Sequence, residues 1–303
     1  MDEELNTTLI YLGGYGEIEK FRYVYFVIVY SLFMLIIFFN STIVSLIVKH
    51  ENLHEPMYIF IAALLINSVL FSVIIYPKLL IDFLSEKQTI LYPACIFQGV
   101  TYYSVAYSEF LLLSAMAYDR YVSICKPLQY PTIMKKTRVC IFVVSAWFVP
   151  VCEVTGVFAM NFSLKLCSFT LNGVFCNNAL YKLFCVRTEG LAIYGVVLLI
   201  NLGLLPALFI LFTYSRILVI TYHSCKELRM KAAQTCLPHL IVLFNFSCFF
   251  TFDVTSARLK SEIPKTASLI ITLQVVLYHP LINPIIYGLK MKEIHRHLRR
   301  MFR

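Results

Sequence analysis

Seven long apolar stretches dominate this chain of 303 residues. Each is long enough to cross about 30 Å of hydrocarbon as a helix, and the connections are too short for a separate domain. Inside hydrocarbon the backbone polar groups have to be satisfied within the segment, as they are in an α-helix. The sequence therefore predicts an all-α membrane protein, a seven-transmembrane helix bundle that forms a single domain over residues 1–303. The predicted spans are 24–48, 57–81, 96–118, 139–160, 190–214, 236–255 and 267–288.

The charged residues divide unevenly between the two sides of the predicted membrane. With the amino terminus outside, the inner connections and tail hold 16 of the 26 Lys and Arg residues, and the outer segments hold 10. Positive charge favours the cytoplasmic side of membrane proteins. We therefore expect a multi-pass plasma-membrane protein with an extracellular amino terminus at 1–22, a long extracellular loop at 161–187 and a cytoplasmic tail at 290–303.

The tail has a helical repeat of apolar residues. Ile294, Leu298 and Phe302 recur every fourth residue, with Lys and Arg residues interleaved. This pattern is typical of a short amphipathic helix on a membrane surface, with a frayed basic tail as the alternative. The net charge of +9 suits anionic membrane lipids and an acidic protein partner, and no nucleic acid is expected as a partner.

Asp119, Arg120 and Tyr121 follow the third apolar stretch and open a basic loop. A charged residue costs about 2.5–3.5 kcal/mol at the centre of a spanning helix and far less at its end, so this triplet is predicted at a membrane face. Arginine keeps its charge and offers five donors in a planar fork. Arg120 can therefore pair with Asp119 at rest and take another partner when the helices shift. A generic interfacial ion pair is the alternative.

Asn283, Pro284 and Tyr287 lie near the end of the seventh apolar stretch. Proline removes one backbone hydrogen bond from a helix, and Asn283 is expected to satisfy the freed carbonyl. Tyr287 then has a hinge about which it can swing inward. A static proline kink is the alternative.

Glu109 is a carboxylic acid within the third predicted span. Intramembrane ionisable residues are functional candidates by default. Cation binding, a protonated hydrogen bond and plain structural support all remain open for it.

Four cysteines fall on the predicted outer side, where disulfides persist. Sequence alone allows three ways of pairing four cysteines. Two sequons on the same side predict N-glycosylation at Asn6 and Asn161. The four cysteines are Cys95, Cys167, Cys176 and Cys185.

Six sequence blocks, in order and over nearly the whole chain, resemble one family closely. The chain is similar to the odorant receptors, within the rhodopsin-like (class A) G-protein-coupled receptors. Two departures, Ser68 where the family usually has an acid and Phe246-Ser247-Cys248 in the sixth helix, resemble its fish-type branch. The blocks cover residues 53–58, 77–80, 116–128, 213–218, 231–240 and 280–287.

The resemblance implies a receptor that binds a small-molecule odorant in the outer part of the bundle and activates a heterotrimeric G protein, of the olfactory stimulatory type that raises cyclic AMP. It implies a disulfide between Cys95 and Cys176, which leaves Cys167 and Cys185 to pair. It also implies G-protein coupling and switching through Asp119, Arg120, Tyr121, Tyr214, Asn283, Pro284 and Tyr287. The ligand contacts that it implies are Tyr102, Tyr103, Ala106, Tyr107, Leu198, Leu202, Ser247, Phe250 and Val254.

The sequence gives less support to other functions. The same machinery would serve a non-olfactory receptor for a steroid-like or other metabolite, whereas a transporter or channel would need polar residues across the whole membrane. Residues 267–288 contain no lysine to hold retinal. The enzyme case rests on His50 and His54 in a zinc-protease pattern, where Pro56 follows at once and no third ligand is near. We expect no enzyme activity, no metal and no cofactor.

Overall fold

The computed structural model describes residues 8–15, 21–161, 164–185, 189–222, 230, 236–248, 250–251, 276–277, 280–289 and 291–301. Among these residues, the apolar helices pack as a seven-helix bundle, with an eighth helix toward the carboxyl end. We call the end that carries residues 8–15 the outer end and the opposite end the inner end, after the orientation that the charge distribution predicts.

The helices follow the predicted spans and continue past several of them. A π-helical turn, Leu199–Leu204, divides α5 into Glu189–Leu198 and Leu205–Tyr222. Proline stands in the first turn of α2 and of α3, where a missing N–H costs no helical hydrogen bond. Parts of the sixth and seventh predicted spans lie outside the described residues. The other helices are α1 (Arg22–Lys49), α2 (Pro56–Leu84), α3 (Tyr92–Cys125), α4 (Lys136–Asn161), α6 (Cys236–Cys248), α7 (Pro280–Leu289) and α8 (Lys292–Met301).

The central element of the bundle is α3. It packs against α2, α4 and α5. Among the described residues, α1, α2, α4 and α5 are apolar and long enough to cross a membrane by composition alone, and α3 is not among them. The physical reason is that α3 carries buried polar residues, among them Gln98, Ser104 and Glu109, which its neighbours shield. The span predicted at 96–118 is nevertheless helical throughout.

A small sheet, which the sequence analysis does not predict, covers the outer end. It consists of β1 (Leu9–Leu12), β2 (Thr89–Leu91) and β3 (Thr170–Leu171) in the order β2-β1-β3. β1 is antiparallel to β2 and parallel to β3. Side chains alternate along β1, so that Ile10 and Leu12 are buried while Leu9 and Tyr11 face outward.

At the inner end, α8 turns its apolar side toward the bundle. Ile294 is fully buried, Leu298 packs against the core, and the Arg296 side chain is 57% exposed. Contacts with α1 hold the helix in place. The predicted amphipathic helix is therefore present.

The contact between α8 and the α1–α2 connection is predicted to weaken on acidification. The His297 ring stacks on His50 with centroids 4.1 Å apart, and its Nε2 accepts a hydrogen bond from Asn52 Nδ2 at 3.2 Å. Burial is the main cause that lowers the pKa of His297. The charges of His50 and of the nearby arginines lower it further, and Glu293 opposes them. The docked form therefore resists protonation, and its stability is present above the ordinary pKa of 6.5 and declines as the pH falls below it.

Hydrogen–deuterium exchange of α8 in detergent at pH 7.5 and 5.5, after correction for intrinsic exchange rates, measures this weakening. Exchange should be faster at the lower pH in the parent receptor, and His297→Gln should reduce the difference. An equal pH response in both proteins would contradict the prediction.

Candidate functional site

The inner end of α3 holds a closed arginine–carboxylate pair. Asp119 is fully buried, and its Oδ2 accepts hydrogen bonds from the Arg120 guanidinium, from Nε at 3.1 Å and from Nη2. Its Oδ1 accepts a hydrogen bond at 2.8 Å from the hydroxyl of Tyr130, in the helical turn Tyr130–Ile133. Both carboxylate oxygens are thus engaged, and Arg120 is held in its resting pairing. Tyr121 is half-buried beside them.

Tyr130 is a partner of Asp119 that the sequence analysis misses, because its role depends on how the connection folds back. Burial, and then the Asp119 carboxylate, raises the pKa of the Tyr130 phenol, so the hydroxyl stays protonated and can donate. The bond joins the α3–α4 connection to the arginine pair.

Tyr130→Phe is expected to raise basal signalling severalfold. A hydrogen bond to a charged group contributes about 1.5–3 kcal/mol, and the lower value suits this half-exposed position. Losing the bond frees Asp119 and loosens its hold on Arg120. Basal cyclic AMP, normalised to surface receptor, is the measurement. Thr132→Ala changes a hydroxyl in the same turn, which within the described part of the chain bonds only to the Gln129 carbonyl, so it serves as the control. Equal basal levels in both variants would count against the role of Tyr130.

An inner cluster of Tyr214, His239 and Tyr287 joins α5, α6 and α7. His239 is 1% exposed, and its Nδ1 lies 3.2 Å from the Tyr287 hydroxyl. Its ring is nearly parallel to that of Tyr214, with centroids 6.5 Å apart. Among the described residues, Tyr214 Oη and His239 Nε2 are buried and find no hydrogen-bond partner. A buried polar atom without a partner costs about 1–3 kcal/mol, so an arrangement that brought these atoms a donor or an acceptor would be favoured.

His239 receives no role in the sequence analysis, although it lies within one of the six family blocks. The signal that could have found it is a histidine inside an otherwise apolar helix. Such a residue has to be buried with a partner or turned away from hydrocarbon.

A polar network around Glu109 joins α2, α3, α4 and α7. Asn67 Nδ2 donates to Glu109 Oε2 at 3.3 Å, and Asn283 Nδ2 donates to Oε1 at 3.1 Å and to Ser68 Oγ at 3.0 Å. Trp147 Nε1 donates to Asn67 Oδ1 at 3.2 Å. One carboxylate therefore ties together helices that are distant in the chain. This geometry favours structural support among the three alternatives, and cation binding at Glu109 stays a prediction.

The expectation that Asn283 satisfies the carbonyl freed by Pro284 was wrong. Pro284 frees the carbonyl four residues earlier, that of Pro280, and Asn40 Nδ2 of α1 donates to it at 3.0 Å. Asn283 instead points toward Ser68 and Glu109. The proline of α7 is therefore supported from a neighbouring helix, which fixes the position of α7 against α1.

Aromatic side chains fill the outer half of the bundle. Tyr102, Tyr103 and Tyr107 are buried on α3, and the ring of Phe250 lies 6.3 Å from that of Tyr103 and 5.1 Å from that of Tyr107. The Phe110 ring joins this cluster 5.6 Å from Phe250.

The remaining predicted ligand contacts are distributed over three helices. Ala106 is buried on α3, Leu198 and Leu202 are buried at the π-helical turn of α5, and Ser247 is half-buried on α6. α3 packs against this turn, which places α5 beside the aromatic cluster. Val254 lies outside the described residues.

Other members of the cluster have no role in the sequence analysis. Phe110 and Phe246 have ring centroids 4.9 Å apart, and Phe71 contacts the ring of Tyr102 at 5.4 Å. Their sequence signal is weak, because a phenylalanine in a spanning helix faces lipid as readily as the interior. The cluster is mostly apolar with tyrosine hydroxyls, a composition that suits a small and partly hydrophobic ligand.

Two disulfides anchor the long loop over the aromatic cluster. Cys95 is bonded to Cys176 and Cys167 to Cys185, the pairs that the resemblance implies. Next to this anchor, the Phe175 ring lies 4.8 Å from that of Tyr102.

The two sequons stay predictions. Asn6 and the side chain of Asn161 lie outside the described residues. The structure therefore leaves N-glycosylation at these positions untested.

Comparisons with known proteins match nearly the whole chain. A family model described as olfactory receptor matches residues 27–303. Human olfactory receptor 11A1 is 32% identical over 302 residues, which cover 98% of this chain and 94% of that protein. Human olfactory receptor 13C9 is 30% identical, with 97% and 95% covered. The crystal structure of squid rhodopsin superposes with a TM-score of 0.75 at 18% identity, covering 93% of this chain and 81% of that one, and shows a shared fold.

Proposed function

Because this chain belongs to the olfactory receptor family and has the fold of a rhodopsin-like G-protein-coupled receptor, we propose that it couples an odorant in its outer cavity to the olfactory stimulatory G protein, raising cyclic AMP. It is a receptor and not an enzyme. Its ligand is a small molecule, and its partner is a heterotrimeric G protein.

One observation supports the coupling most directly: a single continuous helix carries both sites. Tyr102 and Tyr107 in the aromatic cluster and Asp119 and Arg120 in the closed pair all belong to α3. From Tyr102 to Arg120 this helix rises about 27 Å, at about 1.5 Å per residue. A ligand that changes how α3 packs against α5 and α6 therefore acts on both ends.

The mechanism that we propose is a shift between two arrangements of the helices. A ligand can favour one arrangement only by binding it more tightly than the other. In the favoured arrangement the inner ends of α5 and α6 move away from α3, Arg120 leaves Asp119, and the inner cluster gains new partners. The cleft that opens would accept a helix of the G protein. Tyr214 and Tyr287, buried close to this cleft, would complete its lining.

The orientation in the membrane belongs to the proposal as well. The excess of Lys and Arg at the inner end supports an extracellular amino terminus and a cytoplasmic α8 in contact with anionic lipid. Assignment to the fish-type branch stays a prediction.

Cyclic AMP measured in cells that express this chain with the olfactory G protein tests the function. Panels of water-soluble odorants supply the challenge, and cells without the receptor supply the control. A dose-dependent rise confined to receptor-expressing cells is the expected result. A dose-dependent response that runs through a different G protein would contradict the stimulatory pathway.

A further inference from the structure

The amino-terminal segment, residues 9–15, closes over the outer end of the bundle. β1 forms the centre of the sheet, Ile10 is fully buried, and Leu12 is 4% exposed. The Leu12 amide donates to the Gln88 carbonyl at 2.8 Å, and the Tyr11 amide donates to the Phe169 carbonyl at 2.7 Å. The segment is thus attached to both connections at this end.

Tyr15 attaches the end of this segment to α2 and to the long loop. It is 4% exposed, and its hydroxyl lies 3.0 Å from both Asp82 Oδ2 and the Val174 carbonyl oxygen. Asp82 is itself buried and paired with Lys78. Burial first, and then the Asp82 carboxylate, raises the pKa of Tyr15 well above its ordinary value. The phenol therefore remains a hydrogen-bond donor under physiological conditions.

The contacts of Tyr15 continue to the aromatic cluster. Val174, whose carbonyl oxygen lies 3.0 Å from the Tyr15 hydroxyl, precedes Phe175, which is 2% exposed and whose ring lies tilted against that of Tyr102. Cys176 follows with its disulfide to Cys95, and its amide donates to Gln98 Oε1 at 3.0 Å. Tyr15 is thus connected to Tyr102, a predicted ligand contact, through the consecutive residues Val174 and Phe175 of the long loop.

The backbone of the amino-terminal segment is in direct contact with the backbone of the long loop. The Gly14 amide donates to the Gly173 carbonyl at 3.1 Å. A Cβ at Gly14 would lie 2.4 Å from the carbonyl carbon of Gly173, which is closer than any side chain can approach. Glycine at position 14 is therefore required for this closure.

We propose that residues 9–15 form a lid over the aromatic cluster, that Tyr15 is its latch, and that small molecules enter from the outer side when β1 separates from β2 and β3. Tyr15 is a positioning residue, because it acts through Phe175 and not by touching the ligand. The inference rests on the proposed function only for the nature of the molecule that enters.

The accessibility of a buried position beside the aromatic cluster tests the lid without a known odorant. Ala106, 2% exposed on α3, is replaced by cysteine, and a water-soluble cationic methanethiosulfonate is applied to intact cells. The same receptor without this cysteine gives the background from native thiols. Tyr15→Phe keeps the ring on Phe83 but loses the hydroxyl that donates toward Asp82 Oδ2 and the Val174 carbonyl oxygen, so labelling should be about tenfold faster. Tyr11→Phe, on the outward face of the same strand, should leave the rate unchanged.

A cross-link that holds the lid shut should have the opposite effect. Leu9 and Leu91 stand directly opposite in β1 and β2, both are 46% exposed, and the hydrogen-bonded pairs lie on either side of them. Such non-hydrogen-bonded pairs bring side chains close enough for a disulfide. Leu9→Cys with Leu91→Cys should slow labelling at Ala106→Cys at least tenfold, with Leu9→Cys alone as the control.

Faster labelling in Tyr15→Phe together with slower labelling in the cross-linked receptor supports the lid. If Tyr15→Phe does not reach the cell surface, the labelling rate of the cross-linked receptor alone tests the lid. Labelling at the parent rate in the cross-linked receptor would overturn the proposal. The chemistry needs no G protein, so a failure of the signalling proposal leaves this result intact.

Discussion

Arg120→Ala is expected to abolish ligand-stimulated signalling while surface expression stays close to that of the parent receptor. Among the described residues, the hydrogen bonds and the ion pair of Arg120 all go to the adjacent Asp119, and its side chain is 13% exposed. Asp119 keeps its hydrogen bond from Tyr130 in the variant. In the active arrangement two or more charged hydrogen bonds are lost, about 1.5–3 kcal/mol each, which corresponds to a loss of about 100-fold or more.

Ligand-stimulated cyclic AMP, normalised to surface receptor by labelling of an amino-terminal tag, is the measurement. Arg138→Ala removes the same charge from the exposed inner end of α4 and is the matched control, with signalling retained. Full signalling in Arg120→Ala would remove Arg120 from the coupling mechanism.

Glu109→Leu is expected to lower the stability of the folded receptor strongly. The substitution removes the acceptor of one N–H from Asn67 and one from Asn283, both fully buried. Each unpaired donor costs about 1–3 kcal/mol. At about 2–4 °C per kcal/mol for a domain of 150–250 residues, the midpoint of thermal unfolding should fall by several degrees or more. Glu109→Gln retains an acceptor and should lose about half as much.

Unfolding midpoints in detergent, followed with a thiol-reactive dye, provide the measurement. Glu153→Leu makes the same change at a half-buried position of α4 for which the described residues offer no hydrogen-bond partner, and it should be nearly neutral. Equal midpoints for Glu109→Leu and Glu153→Leu would refute the structural role. A sodium-dependent rise in the midpoint that is lost in Glu109→Gln would instead support cation binding.

The sequence predicts the helical framework because the bilayer imposes it. Apolar stretches of sufficient length have to be helical in hydrocarbon, so the ends of the spans follow from hydropathy. The Asp119–Arg120 pair is also foreseeable, because charges end a span and adjacent opposite charges pair. The hydrogen-bond partners of polar groups inside the bundle cannot be predicted in this way. That Asn40, and not the adjacent Asn283, supports the Pro280 carbonyl depends on how two helices 240 residues apart rotate against each other.

The outer sheet could not be predicted from the sequence either. β1 has only four residues, and its partners lie about 80 and 160 residues further along the chain. A strand this short has little intrinsic preference of its own and is formed by tertiary packing. Ile10 and Leu12 do alternate with exposed residues, but a period of two over four positions is too brief to distinguish a strand from a loop. Tyr15 likewise carries no local signal for its pairing with Asp82.

The polarity of α3 has a consequence for how the protein is made. Segments enter the bilayer from the translocation channel according to their hydrophobicity, and Glu109 with the buried serines and Gln98 lowers that of α3. Among the described residues, Glu109 finds its hydrogen-bond partners on α2 and on α7, and α3 as a whole packs against α4, so that part of its shielding comes from helices that are synthesised later. Stable integration of α3 is therefore expected to wait for α4, so chains truncated between these two helices should remain extractable by alkaline carbonate while chains that include α4 should not.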